Sequence, residues 1–87
     1  MEFEFDEAKS LSNAVKHGID FVTAQQLWRD ELLIEIPAHT TEEPRSVVIG
    51  LIGTKHYSAV ITQREGRVRI ISVRRSRPKE VALYEGE

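Results

Sequence analysis

Cysteine is absent from this 87-residue chain, which excludes disulfide frameworks and cysteine-based zinc sites and agrees with a reducing compartment. Histidine is scarce. His17, His39 and His56 are too widely spaced for a paired metal-ligand motif, so no metal or other cofactor is expected. No apolar run approaches membrane-spanning length. The N-terminus, Met1-Glu2-Phe3-Glu4-Phe5-Asp6, is acidic where a secretory signal would be basic and then apolar, so a soluble, cytoplasmic protein without a membrane partner is expected. Aromatic residues make up only 7% of the chain, and Phe3, Phe5, Phe21 and Trp28 fall at core-forming positions rather than on an RNA-stacking platform. The length fits one domain over residues 1–87, near the small end of chains that bury a core unaided.

Positive charge is nearly missing from the first half. Met1 to Pro44 holds ten acids against three bases, whereas Arg45 to Glu87 holds nine bases against four acids, so a formal charge of −2 hides a polarised molecule. Six arginines thread through Arg64 to Arg77. A local basic field attracts polyanions, and arginine grips phosphate with two parallel N–H donors. The same arginines could instead form a solvated face paired with the acidic half.

Phe3 and Phe5 alternate with acids as in a short strand with one buried face. Asp6 can cap a helix whose apolar stripe is Ala8, Leu11, Ala14 and Val15, ending near His17 before Gly18. Asp20 can cap a second helix with Phe21, Ala24, Leu27 and Trp28 on one side, which completes a helical hairpin. Strands follow at Leu32 to Ile36, Ser46 to Ile52, Tyr57 to Arg64 and Arg67 to Arg74, joined by turn chemistry at Gly53-Thr54-Lys55 and Glu65-Gly66. The polar link Pro37 to Pro44 is expected to be the most mobile segment. A final helix spans Pro78 to Tyr84, with Ser76 as its expected cap. The order β-α-α-β-β-β-β-α describes an α+β domain: a compact antiparallel sheet with an N-terminal helical hairpin and a short C-terminal helix, all helices on one face.

In the last strand, Val68, Ile70, Ser72 and Arg74 share one side by alternation, and Arg67, Arg69, Ile71, Val73 and Arg75 the other. Neither side is cleanly apolar. Arg64 could join the cluster across the Glu65-Gly66 turn, and Glu80 could pair with an arginine and hold it still. His17 can both accept and donate a proton near neutrality, although a histidine at a helix C-terminus also serves as a cap. Lys16 is either a dipole partner or a phosphate contact. His39 and His56 read as surface residues. Tyr84 could pack the last helix with its ring while its hydroxyl reaches the basic groove.

Taken in order, Phe3 to Lys9, Asn13, Lys16-His17-Gly18-Ile19, Phe21 to Ala24, Val48-Ile49-Gly50, Arg67 to Ser72, Arg74, Arg75, Glu80 and Tyr84 resemble the BrnT family of toxins from BrnT/BrnA type II toxin-antitoxin systems. The resemblance implies a RelE-like fold and a metal-independent ribonuclease that arrests growth. It also implies a BrnA-like ribbon-helix-helix antitoxin, in a complex that binds operator DNA. By this resemblance Lys16, His17, Arg64, Arg74 and Arg75 fall in or beside a catalytic groove. The chain departs from the usual pattern at Phe5, where tryptophan is common, and at Val73 and Ser76, where alanine is common.

The implied chemistry is attack of a 2′-hydroxyl on the neighbouring phosphate. Arg64, Arg74 and Arg75 would clamp the phosphate, His17 would act as acid or base, and Lys16, Arg67, Arg69 and Arg77 would bind RNA phosphates. Glu80 and Tyr84 would support them, with Glu35 or Glu80 as alternative bases. Two other classes compete: a module that binds RNA or antitoxin without cleaving, and a purely structural protein that binds an acidic segment.

Overall fold

The computed structural model describes residues 1–38 and 44–86. His39, and most of the link expected to be mobile, lie outside them. The elements run β1 Glu2–Glu4, α1 Glu7–His17, α2 Phe21–Ala24 with a 3₁₀ helix Gln25–Arg29, β2 Ile34–Ala38, β3 Arg45–Ile52, β4 Lys55–Arg64, β5 Arg67–Arg75 and α3 Pro78–Glu85. The class is α+β with an open five-stranded sheet, in the order β1-β5-β4-β3-β2.

Strands β2 to β5 form the expected antiparallel meander. The β4–β5 turn places Glu65 at φ 52° and Gly66 at φ 79°, the conformation that suits a two-residue hairpin. Strand β1 departs from the expected all-antiparallel sheet: it pairs parallel to β5, with Glu2 opposite Arg67 and Glu4 opposite Arg69. Nothing local to Phe3 or Phe5 specifies that partner, because the whole meander intervenes.

A bulge corrects the alternation expected in β5. Val60 pairs with Ser72 but Ile61 pairs with Ile70, so Ile71 is an extra residue and the faces exchange beyond it. Val68, Ile70 and Val73 thereby share the face that packs on Ile19, Phe21, Ala24 and Leu27. Arg75 continues that face. Arg67, Arg69, Ser72 and Arg74 lie on the opposite one.

Helix α1 begins at Asp6, which accepts from the Lys9 N–H, and ends at Gly18 in the left-handed region, φ 74°. Its orientation leaves most of the apolar stripe facing outward. Leu11 and Val15 are 69% and 90% exposed, while Ser10 and Asn13 are buried. The Ser10 hydroxyl accepts from the Phe21 N–H, and the Asn13 carboxamide donates to the Ile19 and Val73 carbonyls and accepts from the Val73 N–H. Beyond the three residues paired with β1, the edge of β5 is therefore hydrogen-bonded by a side chain instead of a strand.

The second helix is also shorter than expected. After one turn it tightens to 3₁₀ geometry, whose three-residue period puts Phe21, Ala24 and Leu27 in one fully buried row. Helix α3 contradicts the one-face arrangement. Glu80 reaches Arg74 and Ser58, which pair across β5 and β4 on the face opposite α1 and α2. Its N-cap is Arg77, not Ser76.

Candidate functional site

The last turns of β5 send their cations to opposite sides of the sheet. Arg74 is held on the α3 face by two parallel hydrogen bonds to Glu80, 2.7 and 2.8 Å. Glu80 also accepts from Ser58 at 3.0 Å and from the Arg77 N–H at 2.8 Å, and Ser58 and Ser76 share a 2.8 Å hydroxyl contact. The Arg74 guanidinium, with the other donors, outweighs burial and holds the Glu80 carboxyl at about 2. The same pairing raises the Arg74 pKa.

Because folding lowers the Glu80 pKa, its contribution to stability is complete above the ordinary 4.5 and is lost as the pH falls toward about 2. Urea midpoints of the parent are expected to fall through that window. Those of Glu80→Gln should change less over the same range.

Arg75 projects from the helix face. It is exposed, its guanidinium carbon lies 5.7 Å from the centroid of the Tyr57 ring, and it has no acidic partner among the described residues. Val73, two residues before it, is the one tied to Asn13. His17 follows Asn13 by four residues and so occupies the same side of α1, one turn nearer the helix C-terminus. His17 and Lys16 are both exposed, and no hydrogen bond or ion pair joins them to an arginine among the described residues. The Asn13 anchor thus ties α1 to the edge of β5 at Val73, two residues before Arg75.

Other expected members are not gathered there. Arg64 sits opposite Arg67 beside the β4–β5 turn, roughly 20 Å along the strand from Arg74 at about 3.3 Å per residue. Arg67 and Arg69 face the acidic β1, with Arg69 at 2.9 Å from Glu4 and Arg67 at 3.9 Å from Glu2. Arg77 is exposed at the start of α3. Glu35 is exposed on β2, three strands from β5. The Tyr84 hydroxyl meets an acid instead of the basic groove: it donates to Asp30 at 2.6 Å, and that bond, with burial, pushes it up to about 12. His56 is half-buried rather than a surface residue, 2.8 Å from Glu85 and edge-on to Tyr84. Among the described residues no three His, Asp or Glu side chains are placed to hold a metal ion.

Sequence reasoning missed Asn13, Ser58 and Asp30 as organisers. Asp30 accepts from the Leu51 N–H and from Tyr84, pinning α3 to the end of the 3₁₀ helix. A polar residue inside an otherwise buried segment is the signal: Ser58 precedes Ala59 in a strand whose centre is buried, and such a group needs partners.

No curated protein matches the chain. A family model described as "Ribonuclease toxin, BrnT, of type II toxin-antitoxin system" matches residues 5–80, a span that holds α1 with Asn13 and His17, all of β5 and Glu80. No helix among the described residues is long and apolar enough to cross a membrane. The chain belongs to the BrnT family of type II toxin-antitoxin ribonuclease toxins.

Proposed function

We propose that residues 1–87 form a single RelE-like toxin domain that acts in the cytoplasm as a metal-independent endoribonuclease and arrests growth. The observation that supports this reading is the Asn13 anchor, which ties the helix bearing Lys16 and His17 to β5 two residues from Arg75, itself exposed and without an acidic partner among the described residues. Arg75 would stabilise the negative charge that builds on the phosphate as the 2′-oxygen attacks. His17 would take the 2′-hydroxyl proton or supply one to the departing 5′-oxygen. The products would be a 2′,3′-cyclic phosphate and a 5′-hydroxyl.

Lys16 would bind a flanking phosphate. Arg74, Glu80 and Tyr84 would hold α3 and the end of β5 in place, while Arg64, Arg67, Arg69 and Arg77 would meet RNA phosphates farther out. Glu80 is committed to Arg74 and Glu35 stands three strands away, so both are weaker choices for the base. The partner would be a BrnA-like ribbon-helix-helix antitoxin whose complex with the toxin binds operator DNA. The pairing of Arg67, Arg69 and Arg74 with acids favours a second reading, an RNA- or antitoxin-binding module without cleavage.

Induced expression of the chain separates the two. Growth arrest with shortened cellular RNA, relieved by co-expression of a cognate antitoxin, is expected of the ribonuclease. Arrest with full-length RNA would support the non-cleaving module.

A further inference from the structure

The outward side of α1 presents Ala8, Leu11, Ser12 and Val15 to solvent. Their spacing of three, four and seven residues makes one continuous stripe, and no described part of the chain covers it. Its inward counterpart is polar and fully engaged through Ser10 and Asn13, so the helix cannot turn over to bury its apolar side without losing those bonds. Lys9 and Lys16, seven residues apart, line one flank of the stripe. Both are exposed, and neither has an acidic partner among the described residues.

That flank decides the occupant. Two copies packed antiparallel through this stripe would align the Lys9–Lys16 flank of each with the same flank of the other, and four ammonium groups would converge. An amphipathic segment with acids along one side would instead bury its apolar residues on Leu11 and Val15 while its carboxylates meet the two lysines. We propose that the stripe of α1 is the docking surface for such an acidic amphipathic segment of the antitoxin. The identity of the partner rests on the toxin reading above. Docking there would also place carboxylates against Lys16, next to His17, so binding would oppose access of RNA phosphate to the same end of the sheet.

The test uses the full chain and its cognate antitoxin, with affinity measured by calorimetry at two salt concentrations. Leu11→Glu/Val15→Glu should weaken the complex by about 30-fold or more. Lys9→Glu should weaken it about fivefold, and less at high salt. Circular dichroism and RNA cleavage by the isolated variants should match the parent, since these side chains are exposed and outside the proposed centre. Parent-like affinity of the double variant, or failure of the parent chain to bind the antitoxin at all, would overturn the proposal. A parent dimer that the double variant converts to monomer would overturn it in favour of a second copy as occupant. Weakened binding by the double variant, with no cleavage of RNA by the parent, would uphold the docking surface while removing the ribonuclease reading.

Discussion

Arg75→Ala is expected to slow single-turnover cleavage of RNA by about 10²-fold, the scale seen when one preorganised donor to a developing oxyanion is removed. The expectation follows from where the side chain is left. A strand backbone fixes its origin, the Tyr57 ring lies beneath its guanidinium, and no carboxylate among the described residues neutralises it. Its removal breaks no ion pair among the described residues, so the urea midpoint of Arg75→Ala should stay close to the parent's. Arg74→Ala should behave differently: it leaves the Glu80 carboxylate with Ser58 and a backbone N–H but no cation. The loss should therefore appear first in stability. Equal losses of turnover without loss of stability in both variants would argue for a shared clamp on one phosphate, which their opposite faces oppose.

The second large effect concerns folding. Asn13→Ala is expected to cost about 2–4 kcal/mol, because it strands the Val73 N–H and carbonyl and the Ile19 carbonyl in a buried place. That is a large part of the roughly 5–15 kcal/mol that holds a small domain together. The same change should loosen the end of α1 that carries Lys16 and His17, so turnover should fall even at temperatures where the variant is folded. Urea denaturation read by circular dichroism gives the first quantity, and cleavage well below the unfolding midpoint gives the second. A midpoint within error of the parent's would mean that water replaces the carboxamide.

Local signals placed most elements. Asp6 and Asp20 cap their helices, α1 stops at His17, and the three long strands fall within two residues of where period-two patterning and turn residues put them. What patterning could not give was long-range. Strand β1 finds β5 across the whole chain, and the extra residue at Ile71 reverses the faces of Val73, Arg74 and Arg75. Mixed apolar and basic positions on both sides of β5 were the visible trace of that bulge. The orientation of α1 has a different cause. Hydrophobic spacing marks an apolar stripe but not what it faces, and two hydrogen bonds donated by Asn13, one accepted by it and one accepted by Ser10 turn the polar side inward. The cluster of arginines was legible as charge, and its division between two faces and two ends of the sheet was not.

The most direct measurement is cleavage of a defined RNA by the purified chain in excess chelator, with both new ends identified chemically. The expected result is shortened RNA carrying 2′,3′-cyclic phosphate and 5′-hydroxyl ends, and loss of that activity in Arg75→Ala. Cleavage that the chelator abolishes, or products with 3′-hydroxyl and 5′-phosphate ends, would contradict it.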